Sequence, residues 1–288
     1  MSEPLIKDVS DTAFWIAHLR AVETERADAL FRDPFAGRLA GERGADIANA
    51  MPMSGVIGWT VALRTRIIDD YIATAIEAGV DLVLNLGAGL DTRPYRMNLP
   101  PSLTWIEADY AHIVEHKETL LAGETARCRL ERVKIDLADL AKRRRLFARV
   151  NAQTRKMLVI TEGVVPYLDN DQVASLADDL AALDHADFWV VDYMHADTMR
   201  YRERKGMKHM MMNAAFRFKP AAWFDFFRQH GWRAKEIRYV WEEGERLGRA
   251  IPLPVPMKIA MKIRILFMSQ KRRQAVDEFF AYVLLEPT

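Results

Sequence analysis

From Asp81 to Asp192 the chain alternates short apolar runs with longer amphipathic stretches. Leu82-Val83-Leu84-Asn85-Leu86 runs into a glycine, and comparable runs recur at Leu103–Ile106, Arg132–Ile135, Met157–Thr161 and Phe188–Val191. Short runs of this kind, rich in Val, Leu and Ile, predict buried strands. The segments between most of them, Ala111–Leu121, Asp139–Val150 and Asn170–Leu183, carry helical spacing instead. Strand and helix in alternation predict βαβ units, and hence an α/β, doubly wound, mostly parallel sheet with helices on both faces.

The pattern differs at both ends. Before residue 81 it is helical. Asp11 and Thr12 precede Phe14, Trp15, Ala17, His18 and Leu19; Asp33-Pro34 breaks the chain; and Phe35–Leu39 restarts a short turn. A second periodic stretch places Val61, Ile67, Ile68, Tyr71, Ile72, Ala75 and Ile76 on its apolar side, and Gly79 closes it. After Asp192 the alternation loosens. A helix is expected over Pro220–His230, with closing strands at Glu236–Trp241 and Phe280–Leu285. The seven strands belong to one domain. It comprises a helical cap (1–80), a core (81–192), two insertions (193–235 and 242–278) that shape a substrate pocket, and closing strands at 236–241 and 279–288.

Composition narrows the function. Lys and Arg number 41 against 40 Asp and Glu, so the net charge of +1 provides no overall field for nucleic acid, and none is expected as a partner. The single cysteine, Cys128, excludes an intrachain disulfide and a cysteine-rich zinc site. No leader pattern opens the chain. The apolar-looking stretch Ile251–Met268 is cut by Lys258, Lys262, Arg264 and prolines, so no transmembrane segment is expected. The expectation is a cytoplasmic protein.

The strongest chemical signal is Asn85-Leu-Gly87-Ala-Gly89-Leu-Asp91, where a buried strand meets a Gly-x-Gly turn. Such turns let backbone approach a ligand at the carboxyl ends of the strands. Asp109 ends the next strand, twenty residues after Gly89, the spacing of a carboxylate that holds a ribose hydroxyl pair. A dinucleotide would require a third glycine and an open helix N-terminus for its pyrophosphate. Thr92 stands in that glycine's place, and Asp91 adds negative charge there. A nucleoside without phosphates fits better, and S-adenosyl-L-methionine is one. Two more strand ends agree: Asp136 and Leu137 suit the adenine amino group and ring, and Glu162 suits the methionyl part.

Taken in order, Arg64-Thr-Arg66-Ile-Ile-Asp69, Asn85 through Arg96, Trp105-Ile-Glu-Ala-Asp109, Asp136-Leu137 and Glu162-Gly-Val-Val-Pro-Tyr-Leu168 resemble the leucine carboxyl methyltransferase superfamily over roughly residues 11 to 192. That superfamily includes bacterial small-molecule O-methyltransferases. The resemblance implies a Rossmann-like methyltransferase fold. It also implies that Gly87 and Gly89 lie against the cofactor, Asp109 holds the ribose, Asp136 and Leu137 hold the adenine, and Glu162 sits near the methionyl group. Arg64 then pairs with the cofactor carboxylate, a contact suited to a planar guanidinium. A second cationic contact falls at Arg20, with Arg26 as its rival. The activity implied is O-methylation of a carboxylate or phenol on a small aromatic or polyketide-like acceptor. The alternatives are methylation of a protein C-terminal carboxylate and a non-catalytic cofactor-binding protein.

On the substrate side the candidates are Arg96, Tyr167, His195 and His209. The N-terminal helices and Tyr193–Phe218 are expected to close an apolar chamber with an arginine facing the acceptor, using Phe14 and Trp15 among others. His112-Ile-Val-Glu115-His116 has the spacing of one zinc-peptidase pattern, but no third ligand accompanies it, and no metal is expected. Lys258, Lys262, Arg264, Lys271, Arg272 and Arg273 form a cationic run without an intervening acid. It reads first as a solvated helix over the core, and otherwise as a membrane-surface helix or a rim for an acidic substrate.

Overall fold

The computed structural model describes Ile6 and residues 10–51, 53–195 and 215–288; for 261–266, 271, 272, 274 and 275 it describes the backbone. Three helices, α1 (Asp11–Thr24), α2 (Ala36–Ala50) and α3 (Ser54–Glu77), precede the first strand. The βα alternation follows as β1 (Leu82–Leu86), α4 (Arg93–Arg96), β2 (Thr104–Asp109), α5 (Ala111–Leu120), β3 (Arg129–Lys134), α6 (Leu140–Asn151), β4 (Met157–Ile160), a 3-10 turn (Val165–Tyr167), α7 (Asn170–Ala181) and β5 (Ala186–Met194). The closing part contains α8 (Trp223–Gln229), β6 (Trp232–Tyr239), α9 (Val240–Arg246), α10 (Val255–Leu266), α11 (Gln270–Asp277) and β7 (Phe280–Pro287).

The seven strands form one sheet in the order β3-β2-β1-β4-β5-β7-β6. Strands β1 to β5 are parallel, and β7 runs antiparallel between β5 and β6. This is the doubly wound architecture that the alternation predicts. Each strand feeds both faces, as the two-residue side-chain period requires. Leu82, Leu84 and Leu86 pack with Leu146, Phe147 and Val150 of α6 and with Val173, Leu176 and Leu180 of α7. Val83, Leu158 and Ile160 pack on the other face against Leu63, Ile67, Ile68 and Tyr71 of α3. Gly79, at φ 93°, turns the chain from α3 into the sheet, as its place after the periodic stretch predicts.

Three boundaries differ from expectation. The strand expected over 236–241 begins instead at Trp232, whose buried indole N–H donates to Ala177 O at 3.1 Å, and it ends before Val240. Trp241 therefore belongs to α9. Strand β3 starts at Arg129 because it is the sheet edge, where Arg129 and Glu131 stay exposed and hide the strand from a hydrophobicity reading. Helix α2 extends to Ala50, past the short turn expected at Phe35–Leu39, with a kink at Gly41. Apart from its non-helical φ/ψ at Gly41, it buries Leu39, Ala40, Ile47 and Ala48.

Candidate active site

Strand order reverses between β1 and β4, which opens a crevice at their carboxyl ends, the place where open α/β sheets take ligands. A cavity of about 1040 Å³ lies there. Its floor is the β1 turn (Asn85 to Asp91), the ends of β2 and β3 (Asp109, Asp136, Leu137) and the turn after β4 (Glu162 to Tyr167). Its cover comes from α1, α3, Phe216 and Arg217, Trp241 of α9, and Met268, Val276, Phe279 and Phe280.

The glycine turn is built for close approach. Gly87 has φ 66°, a left-handed conformation that is costly for residues with a Cβ, and its N–H donates to Ala108 O at 2.8 Å. A Cβ there would stand 2.4 Å from Val164 Cγ2, so the two turns pack without room for a side chain. Asp109 joins the turn directly. Its Oδ2 accepts the Gly89 N–H at 2.6 Å and its Oδ1 accepts the Tyr110 N–H at 2.7 Å. Burial pushes the Asp109 carboxyl up, against the pull of these two backbone donors.

Behind the turn lies a buried ion network. Arg93 Nη1 reaches Glu162 Oε2 at 2.7 Å and Asp91 Oδ2 at 3.0 Å, while its Nε donates to Asp69 Oδ1 at 2.7 Å. Arg64 Nε lies 2.7 Å from Glu162 Oε1. Burial drives the Asp91 and Glu162 carboxyls up, but the surrounding guanidiniums outweigh it: Arg93 chiefly holds Asp91, and Arg64 with Arg93 holds Glu162, well into the ionised range. Asp192, at the end of β5, behaves oppositely. Its burial outweighs Arg64 and the Gly163 N–H, which donates to Oδ2 at 2.8 Å, and its carboxyl is pushed up to about 6. The antiparallel register sets Tyr282 of β7 opposite Asp192, and Tyr282 lines the cavity.

The turn also shows why phosphates are poorly served. Helix α4 is a single turn of four residues. The Arg93 N–H at its start already donates to Asp91 Oδ1 at 3.0 Å, so a carboxylate stands where a phosphate oxygen would bind.

The residues expected to contact the cofactor, Arg20, Arg64, Gly87, Gly89, Asp109, Asp136, Leu137 and Glu162, all line this cavity. Arg20 is favoured over its rival by placement. Its Nε donates to Asp33 at 2.9 Å and its Nη2 to Leu90 O at 2.6 Å, whereas Arg26 pairs with Asp28 at the surface. Of the substrate-side candidates, Tyr167 lines the cavity, edge-on to Phe216. Arg96 does not. Its guanidinium is spent on Asp69, in two bonds of 2.7 and 2.8 Å, and lies over the Phe31 ring, so the expected substrate contact is corrected to a packing role. His195 also lies off the cavity lining, at the end of β5 with its backbone N–H on Phe279 O, and His209 falls outside the described residues. Phe14 turns away to meet His116 edge-on, leaving Ala13, Trp15 and Ile16 as the apolar lining from α1. In the HxxEH segment His116 Nε2 meets Leu39 O at 3.1 Å while His112 stacks on Tyr110.

Sequence reading missed Arg93, the hub of the ion network, and the lining residues Trp241, Phe280 and Tyr282. The signal for Arg93 lay in the acids around it, Asp69 and Asp91, and in the pattern Asp-Thr-Arg-Pro-Tyr-Arg. The other three had no local signal: the antiparallel return strand β7 brings Phe280 and Tyr282 to the site, and α9, after β6, brings Trp241.

The family model for leucine carboxyl methyltransferase matches residues 13–181, which contain the network and the cavity floor. A relative from Mycobacterium tuberculosis (strain ATCC 25177 / H37Ra), named "Putative S-adenosyl-L-methionine-dependent methyltransferase", is 32% identical over 278 residues covering 86% of this chain and 87% of the relative. Among solved structures, a DUF574 family protein from Streptomyces avermitilis superposes with a TM-score of 0.55 at 15% identity, covering 94% of this chain and 97% of that one. A protein described as a "putative methyltransferase" from Thermobifida fusca gives 0.53 at 14% identity, covering 95% of this chain and 94% of that one. These two share the fold. The family match over more than half the sequence, together with the mycobacterial relative, shows that the chain belongs to the leucine carboxyl methyltransferase family.

Proposed function

We propose that the protein is an S-adenosyl-L-methionine-dependent O-methyltransferase whose acceptor is a small, largely apolar molecule bearing a carboxylate or phenolic oxygen. The carrying observation is the two-ended cavity. Its polar side is made by the strand-end carboxylates Asp109, Asp136 and Glu162 with Arg64 of α3, and the rest of its lining is largely aromatic and aliphatic (Trp15, Ile57, Tyr167, Phe216, Trp241, Phe280). Convergent polar groups at one end and apolar walls at the other suit a small ligand better than a peptide tail.

The residues present fit the cofactor by chemistry. Gly87 and Gly89 leave bare backbone on the stretch of the β1 turn that lines the cavity. Asp109 and Asp136 offer carboxylate acceptors for hydroxyl and amino groups, and the cationic side chains Arg64 and Arg20 reach the lining as partners for a carboxylate. When bound, S-adenosylmethionine supplies an electrophilic methyl group carried on a sulfonium. The chain's own work is positional. The ion network fixes Glu162 and Arg64 under the cavity, and the turns after β1 and β4 interlock through Gly87 and Val164. The aromatic cover excludes water while an acceptor oxygen is held in line. A carboxylate acceptor arrives ionised at neutral pH; a phenol must give up its proton first.

Isothermal titration should show binding of S-adenosylhomocysteine and none of NAD. Asp109→Ala should weaken the former by ~1–3 kcal/mol, the cost of losing hydrogen bonds to a charged group. Unchanged affinity in the folded variant removes Asp109 from the site. A turnover screen over aromatic acids, phenols and C-terminal peptides, read by product mass, tests the acceptor. Methylation of the peptides alone overturns the small-molecule reading, and binding without any turnover favours a non-catalytic role.

A further inference from the structure

Arg64 reaches the cavity from α3, and its guanidinium is the group assigned above to the carboxylate of the methyl donor. An arginine side chain is long and has many rotamers, so it needs more than one fixed neighbour to hold its donors in one plane. Glu162 is the first neighbour. Its Oε1 lies 2.7 Å from Arg64 Nε, yet that N–H makes no hydrogen bond, so the contact is set by charge and not by direction. The turn after β4 bounds a second side, since a Cβ on Gly163 would stand 3.8 Å from Arg64 Nη1. Tyr282 of β7 supplies the third, where its hydroxyl accepts a hydrogen bond from Arg64. That hydroxyl is firmly placed. Tyr282 is 1% exposed, its ring meets Phe280 edge-on at 5.7 Å, its carbonyl accepts the Tyr71 hydroxyl at 3.0 Å, and the register of β7 sets it opposite Asp192. A packed tyrosine has few torsions left to move, which makes it a rigid post for a flexible cation. It lines the cavity, yet it lies outside the residues 13–181 that the family model matches.

We propose that Tyr282 is a positioning residue, whose hydroxyl sets the Arg64 guanidinium for the carboxylate of the methyl donor. This rests on the cofactor reading above. A guanidinium recognises a carboxylate best as a bidentate fork, and a fork whose plane is set in advance loses less freedom on binding. Glu162 draws the charge to the strand-end side of the cavity, and Tyr282 fixes its orientation from the return strand. The donor site is thus completed by β7, a strand that the parallel motifs do not include. Tyr282 acts here through Arg64 and needs no contact with the donor itself.

The test is isothermal titration of the full chain with S-adenosylhomocysteine and with its decarboxylated analogue, which keeps the nucleoside, the thioether and the amine. Tyr282→Phe retains the ring and removes the hydroxyl. It should weaken S-adenosylhomocysteine on the order of 10-fold, the scale of one hydrogen bond to a charged group, and leave the analogue unchanged. Binding of the analogue at parental strength also reports that the variant is folded. In an Arg64→Met background the same substitution should cost nothing further, because the group it orients is gone. If the analogue binds below detection, the Arg64→Met comparison decides. A parent that binds neither compound overturns the cofactor reading, and the proposal with it. A parent that binds S-adenosylhomocysteine overturns the proposal alone if Tyr282→Phe weakens both compounds equally, weakens neither, or still costs affinity once Arg64 is methionine.

Discussion

Arg93 is the side chain on which the floor of the site turns, and Arg93→Met isolates its contribution. The substitution keeps an unbranched apolar stem of similar length and removes a guanidinium that is 3% exposed and bonded to Asp69, Asp91 and Glu162. Removing one partner of a buried ion pair costs about 3–5 kcal/mol because the remaining charge is left uncompensated. Two of the three carboxylates keep another partner: Asp69 keeps Arg96, and Glu162 keeps Arg64. Asp91 keeps the Asn85 amide at 2.9 Å. The expected loss is therefore at the low end, about 3 kcal/mol, which for a chain of this size lowers Tm by about 6–12 °C. The pH dependence identifies the cause. Asp91 and Glu162 have native pKa values held below their ordinary ones, so they contribute stability that is present above the unfolded pKa and lost as pH falls. Without Arg93 that contribution shrinks, so the gap between variant and parent is widest near neutral pH and narrows as pH falls from the ordinary carboxylate pKa toward the lower native values of the parent. Urea titrations at pH 7.5 and at about pH 3, below the ordinary carboxylate pKa, measure both, and Arg93→Lys, which keeps the charge but not the fork, should recover part of the loss. A deficit under ~1 kcal/mol, or one equal at the two pH values, would show that the network is not what Arg93 supports.

Two further outcomes follow from the same geometry. Asp192, pushed up to about 6, binds its proton more tightly in the native state than in the unfolded chain, so it lowers stability as pH rises from about 4 through 6. Asp192→Asn keeps an acceptor for the Gly163 N–H, and it should gain on the parent by up to ~3 kcal/mol between pH 4 and pH 7 in urea titrations; a pH-independent difference contradicts the assignment. Trp241→Ala should raise KM for the acceptor while leaving S-adenosylhomocysteine affinity unchanged, because Trp241 lies in the apolar cover and not on the strand-end floor; an equal loss of cofactor affinity would place the boundary between the two ends elsewhere.

The parts of this molecule that were legible in its sequence are those whose physics is local. A buried parallel strand must be a short apolar run, so β1, β2, β4 and β5 could be found within a few residues. A turn at positive φ favours glycine, so Gly87 and Gly89 marked the turn that lines the cavity floor. A strand-end carboxylate at a fixed distance from that turn pointed to Asp109, and the structure joins the two by a hydrogen bond from Gly89. What stayed hidden depends on partners far away in sequence. Arg96 and Arg93 stand three residues apart and look equivalent, yet the single acid Asp69 on α3 binds both and fixes their separate roles, holding Arg96 by two bonds away from the cavity and leaving Arg93 to span toward Glu162. Trp241 and Tyr282 sit in a region where the parallel alternation has ended, and the antiparallel pairing of β7 with β5 alone brings Tyr282 alongside Asp192. A cavity floor made of parallel strand tips is therefore readable along the chain, whereas its cover, drawn from α1, α3, α9 and the segment after α10, follows from tertiary contacts that no local pattern encodes.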